Sequence, residues 1–181
     1  MNKINKKIMV IEDETIVARD IISTLNELGY QTSEVYTSGE AAINNVGDIC
    51  PNLILMDIKL KGDLDGIQAG ETIYKKYRIP IIYLTGHADE DLFSRTIYSR
   101  PYGYLVKPFN PVSLQTTIEI ALYKHEFENL LVSDTENAIA TILGCVELLL
   151  ENKNSYNRST LSKLEMIKTS ANEIKDTLDK F

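Results

Sequence analysis

The sequence predicts an α/β fold: a doubly wound parallel sheet of five strands, followed by a C-terminal α-helical hairpin. Three observations carry that prediction. Five short apolar runs alternate with longer helical patterns through residues 1–125. The runs are mostly continuous in polarity, as expected of strands covered on both faces. From residue 126 onward no strand pattern occurs, and apolar residues recur at spacings of three and four.

Each element has its own signal. Residues 7–11 (Lys-Ile-Met-Val-Ile) read as a buried strand, and residues 14–28 as an amphipathic helix ended by Gly29. Residues 31–36 form a second strand, and Ser38 is placed to cap a helix running to about Val46. Residues 53–56 are a third strand. Residues 64–77 are helical, with Ile67, Ala69, Ile73 and Tyr74 at apolar positions. Pro80 opens a fourth strand over 81–84, and a helix follows over about 89–98. The fifth strand is 102–106, after which Pro108 and Pro111 interrupt the chain before another helix. Right-handed crossovers then favour the strand order 2-1-3-4-5.

A chain of 181 residues holds one domain of about 100–150 residues plus a small appendage. The division expected is 1–125 and 126–181. The longest apolar stretch, 138–150, is broken by Glu147 and falls short of the roughly 18 residues a membrane span needs. Lys3, Lys6 and Lys7 precede an apolar run of only residues 8–11, too short for a signal-peptide core. Cys50 and Cys145 match no metal or redox spacing; they suit a reducing cytoplasm and are expected to be small buried hydrophobes. A cytoplasmic protein without membrane partners is the expectation. Net charge is −7, and residues 126–181, with ten acidic and six basic side chains, carry −4 of it. A tail that gripped phosphates would reverse that sign, so nucleic acid is not the expected partner.

In doubly wound sheets, ligands sit beyond the carboxyl ends of the strands. The first strand ends in Glu12, Asp13 and Glu14, the third in Asp57, the fourth in Thr85 and Gly86, the fifth in Lys107 and Pro108. Taken singly these are a helix start, a turn residue, an uninformative hydroxyl and a solvated charge. Together they deliver carboxylates, a hydroxyl and an ammonium to one rim. Crowded carboxylates suit a hard divalent cation such as magnesium or manganese. An aspartate can attack a phosphoryl group to give an acyl phosphate. The metal, Lys107 and Thr85 would then offset charge on the phosphoryl oxygens.

These residues resemble the receiver domain of response regulators, a flavodoxin-like fold, and residues 7–124 carry the whole pattern: an acidic pair after strand one, Asp after strand three, Thr after strand four and Lys-Pro after strand five. The resemblance implies that Asp57 is the phosphoacceptor and Asp13 a direct metal ligand, with Glu12 assisting and the main-chain carbonyl of Lys59 completing the protein ligands. It implies that Thr85 and Lys107 hold the phosphoryl group, that Tyr104 is an aromatic switch coupled to Thr85, and that the Lys107–Pro108 bond is cis. It also implies a sensor histidine kinase as partner and no enzymatic activity beyond self-phosphorylation and dephosphorylation. One departure is visible: residues 58–66 lack the family's usual Met-Pro turn and run one residue longer. His87 reads as a surface loop residue.

The helix after Pro111 has no clear stop; Ile118, Leu122, Leu130, Leu131, Ala138, Ile139, Ile142, Val146 and Leu149 suggest one helix over about 112–151. Residues 152–157 are a polar turn. A second helix starts near Ser159, with Leu161, Leu164, Ile167 or Lys168, Ala171, Ile174, Leu178 and Phe181 on its stripe. Two such helices do not bury both stripes alone, which predicts a homodimer through a four-helix bundle. Residues 133–144, with Glu147 to Leu150 after them and Lys168 to Ala171 on the second helix, resemble the dimerisation and histidine-phosphotransfer domain of sensor kinases. Ser133 stands where that family carries its histidine, and His125, two turns earlier, is a poor substitute. No ATP-binding domain follows in this sequence, so a kinase is not expected. The hairpin would bind a kinase or another receiver. Transcriptional regulation and onward phosphotransfer are the alternatives; cofactor binding as in flavodoxins lacks a phosphate loop.

Overall fold

A computed structural model describes residues 6–86 and 101–178. The helix expected over 89–98, His87 and Phe181 lie outside them. The chain divides into two compact units, Met1–His125 and Glu126–Phe181.

The first unit alternates strands and helices: β1 Lys7–Ile11, α1 Thr15–Glu27, β2 Gln31–Tyr36, α2 Gly39–Ile49, β3 Leu53–Asp57, α3 Gly66–Tyr77, β4 Ile81–Thr85 and β5 Gly103–Val106. Helix α4, Pro111–Glu151, begins in this unit and ends in the second. All strand pairs are parallel, in the order β2-β1-β3-β4-β5. The continuous apolar runs now have a cause. Successive side chains of a strand point to opposite faces, and both faces here are covered. Ile8, Val10, Leu53, Leu55, Ile82 and Leu84 pack with Ile21 and Leu25 of α1 and Leu114 and Ile118 of α4. Their neighbours Met9, Ile11, Ile54, Met56, Ile81 and Tyr83 pack with Ala42 and Val46 of α2 and Ile67 and Ile73 of α3. Among the described residues, the edge strands β2 and β5 are partly exposed along their lengths.

Several boundaries differ from the sequence expectation for local reasons. Helix α2 runs on to Ile49 and stops where Cys50 turns left-handed at φ 48°, its N–H donating to Val46 O. Helix α3 starts at Gly66, not residue 64, because Asp65 caps it. The Asp65 side chain accepts from the Gln68 N–H at 2.9 Å while Gln68 Oε1 accepts from the Asp65 N–H at 3.1 Å, a reciprocal capping box. Strands β3 and β4 each extend one residue, to Asp57 and Thr85, and β5 starts at Gly103. The cysteines were expected to be buried and are exposed. Cys50 sits at the outward-facing end of α2, its thiol 2.9 Å from Gly47 O. Cys145 lies on the outer side of α4, where its neighbour Val146 takes the inward position.

In the second unit, the C-terminal part of α4 is followed by a 3-10 turn, Lys153–Ser155, and by α5, Arg158–Leu178. Asn157 Oδ1 accepts from the Thr160 N–H at 2.9 Å and starts α5 one residue before the expected Ser159. Ile139 and Val146 on α4, and Leu164 and Ala171 on α5, are buried. Lys168 and Glu147 form an ion pair at 2.8 Å. Among the described residues no helix is long and apolar enough to cross a membrane.

Leu55 is fully buried at the centre of the sheet, between β1 and β4. Leu55→Ala is expected to destabilise the first unit by about 2–5 kcal/mol, measured by urea denaturation followed by circular dichroism.

Candidate functional site

The carboxyl ends of β1, β3, β4 and β5 meet at one rim. Asp57 is the last residue of β3 and only 6% exposed. Glu12 follows β1 directly, is fully buried, and donates its main-chain N–H to Tyr36 O at 2.8 Å. Lys107 follows β5, its main-chain N–H donating to Thr85 O at 2.7 Å. Its side chain reaches back across the rim: Nζ lies 2.5 Å from Glu12 Oε2 and 2.7 Å from Asp57 Oδ2. One ammonium thus bridges two buried carboxylates.

The opposite sides of those carboxylates are held by main chain. Glu12 Oε1 accepts from the Glu14 N–H at 3.2 Å, and Asp57 Oδ1 from the Lys59 N–H at 3.1 Å. Asp13 is half-buried, with Oδ2 3.0 Å from Lys61 Nζ. Glu12, Asp13 and Asp57 each offer a carboxylate oxygen within 4.8 Å of the others, three hard donors for a metal ion. The Lys107–Pro108 peptide bond is cis.

The charges are mutually dependent. Burial pushes the Glu12 carboxyl up; the Lys107 hydrogen bond opposes this and the Asp57 charge adds to it, leaving it raised. Burial pulls the Lys107 ammonium down, but its hydrogen bonds to Asp57 and Glu12 and their charges outweigh that and leave it raised. The lysine therefore stays protonated, and Glu12 is the group under electrostatic pressure.

Thr85 ends β4, opposite Val106 and one residue past the Asp57–Leu84 pair. Tyr104 on β5 is half-buried against the α2 and α3 face, its ring 6.2 Å from that of Tyr83. The structure thus brings Glu12, Asp13, Asp57 and Lys107 into one cluster, with Lys59 touching it through its amide. His125 instead contacts Tyr102, its Nδ1 3.2 Å from the Tyr102 hydroxyl.

Two residues escaped the sequence reading. Lys61 pairs with Asp13, and Glu40, in the first turn of α2, anchors the loop between β3 and α3. Its Oε1 accepts from the main-chain N–H groups of Asp63 and Leu64 at 3.1 and 2.9 Å. Main-chain hydrogen bonds, first its own and then that of Leu64, hold the Glu40 carboxyl below the usual range. The one-residue lengthening of the loop was the available signal for Lys61; an acid in the first turn of a helix, such as Glu40, carries no sequence signal beyond the helix dipole. Gly66 closes the loop, and a Cβ there would lie 1.9 Å from Asp57 O, so the backbones approach too closely for any side chain.

Residues 8–119 match the family described as response regulator receiver domain. Over 117 residues the chain is 32% identical to the transcriptional regulatory protein PdtaR of Mycobacterium tuberculosis, covering 65% of this chain and 57% of that protein. The chain thus spans about half the length of this curated relative. The signal receiver domain of a modulated diguanylate cyclase from Desulfovibrio desulfuricans G20 is similar with a TM-score of 0.65 at 33% identity, over 67% of this chain and 97% of its own. The receiver domain of sensor histidine kinase PA1611 from Pseudomonas aeruginosa PAO1, which has a magnesium ion coordinated in its active site cleft, is similar with a TM-score of 0.60. The identity is 28%, over 65% of this chain and 97% of that one.

Lys107→Ala would leave the buried Glu12 and Asp57 without their shared cation. Urea denaturation in EDTA at pH 7 is expected to show a loss of about 3 kcal/mol. Burial already raises Glu12, so its share of that loss appears above its raised pKa and disappears below the usual carboxylate range. A deficit that grows on acidification would contradict the geometry.

Proposed function

Because this chain belongs to the response regulator receiver domain family, the phosphoacceptor module of two-component signalling, we propose that Asp57 is its phosphorylated residue. The observation that carries this reading is the convergence of three carboxylates and the Lys107 ammonium at one sheet edge. A carboxylate oxygen of Asp57 attacks phosphorus as the P–N bond of a kinase phosphohistidine breaks. The electron pair of that bond goes to the imidazole nitrogen, which takes a proton from solvent, and an acyl phosphate is left on Asp57.

The donor set fits magnesium or manganese: three carboxylate oxygens, hard and anionic, with no sulfur or imidazole among them. Asp13 and Asp57 would ligate directly, Glu12 would assist, and the Lys59 carbonyl would complete the protein ligands. When bound, such a cation supplies positive charge against the phosphoryl oxygens. Lys107 supplies a second positive charge and the Thr85 hydroxyl a hydrogen bond. Tyr104 responds to the position of Thr85 and alters the face formed by β5 and its flanking helices. The coordinated magnesium of the Pseudomonas receiver domain supports the metal.

The output is the hairpin, acting as a homodimer that binds protein partners such as a kinase or another receiver. Its apolar pattern supports a second copy as the occupant of its open face. Ile142 and Leu149 on α4, and Ile167 and Ile174 on α5, are each 41–51% exposed. Each follows a buried residue by three positions, and the members of each pair are seven apart, the a/d spacing of a helical bundle. Half of each seam is covered within the hairpin, and a second hairpin would cover the rest. A role in transcription is the second reading, favoured by the name of the PdtaR relative; a gel shift at low salt tests it.

Incubation with a small phosphodonor and magnesium should add one phosphoryl group to the wild type by intact mass and none to Asp57→Asn. Lys107→Ala should slow the reaction on the order of a hundredfold. Equal modification of wild type and Asp57→Asn removes the assignment. For the hairpin, light scattering on the eluting protein should give a dimer, and Ile142→Glu with Ile174→Glu a monomer of unchanged helicity. A monomeric wild type at tens of micromolar removes the bundle.

A further inference from the structure

The loop between β3 and α3 presents an ammonium to the cation site. Lys61 Nζ lies 3.0 Å from Asp13 Oδ2, with the lysine side chain 82% exposed and that of Asp13 only 11%. The backbone carrying Lys61 is held. Asp63 and Leu64 donate their N–H groups to Glu40 Oε1, and the Gly66 N–H donates to Ile58 O at 3.0 Å. Gly62, next to Lys61, adopts φ +129°, where a side chain would be strained and its Cβ would meet the Glu40 carboxylate at 2.9 Å. The loop is thereby pinned at one end of α2 and closed at the start of α3, with Lys61 between.

We propose that Lys61 is a built-in competitor for the divalent cation, neutralising Asp13 until a metal displaces it. This rests on the reading that Glu12, Asp13 and Asp57 hold such a cation. The Asp13 oxygen that accepts the ammonium cannot also ligate magnesium at about 2.1 Å without setting two cations against each other. Lys61 has a flexible four-carbon stem and solvent around it, so it can swing away. Lys107 cannot do the same, being gripped by two buried acids. Lys61 therefore tunes metal affinity without blocking the site. An exposed ion pair is weak and screened by salt, which sets the expected scale at about two- to five-fold.

Calorimetric titration of magnesium into the full 181-residue chain tests this, using wild type, Lys61→Gln, Lys75→Gln and Asp13→Asn. Lys75, in the last turn of α3, gives the same change in net charge elsewhere. Circular dichroism in EDTA establishes that each variant is folded. Lys61→Gln should bind about two- to five-fold tighter at low salt, and the gap should close near 1 M salt. Lys75→Gln should match wild type. Equal affinity of Lys61→Gln and wild type, with Asp13→Asn weakened, overturns the role of Lys61 and leaves the metal site standing. Equal tightening by Lys75→Gln overturns it too, as a net-charge effect. Unaltered affinity in Asp13→Asn overturns the metal site and this inference with it.

Discussion

The Lys107 ammonium between Glu12 and Asp57 is the interaction on which the site's geometry depends. Two buried carboxylates at the edge of one sheet repel each other, and in a low-dielectric setting that repulsion is far stronger than in water. A cation placed between them offsets that repulsion, and Lys107 reaches both within 2.7 Å. Burial first, and the Asp57 charge after it, still leave the Glu12 carboxyl above its usual range despite the Lys107 hydrogen bond.

The sheet is what holds such a group of charges in place. Residues from β1, β3 and β5 converge because the parallel register is locked on both faces by apolar packing. A slip of one residue would turn every inward side chain toward the wrong layer. Main-chain N–H groups of Glu14 and Lys59 then fix the outer carboxylate oxygens. The cluster therefore sits on rigid elements, and the loop beyond β3 adds the exposed Lys61 side chain beside it.

That loop joins the two kinds of constraint. Glu40 and Gly66 determine its path through main-chain hydrogen bonds and close packing, while Lys61 supplies charge at its solvent side. The second unit follows different physics. Its helices are amphipathic with a seam covered on alternate positions, and the uncovered positions are apolar. Such a pattern leaves an apolar stripe exposed on the hairpin.

Much of this was legible in the sequence for a stated reason. Continuous apolar runs alternating with helical periodicity leave little choice but a doubly wound sheet, and ligand-binding groups of such sheets fall at strand ends. That pattern alone assigns Glu12, Asp13, Asp57, Thr85 and Lys107 to one rim. The long uninterrupted helix after Pro111 was readable because nothing in its sequence stops it. Tertiary structure alone decided which carboxylates Lys107 would bridge, that Lys59 would act on Asp57 through its amide, that Lys61 would reach Asp13, and that Cys50 and Cys145 would face outward. Periodicity assigns a residue to an element and a face. Contacts a few ångströms long between segments distant in sequence depend on how loops close and which side chain fills the space, and those are properties of the packed chain.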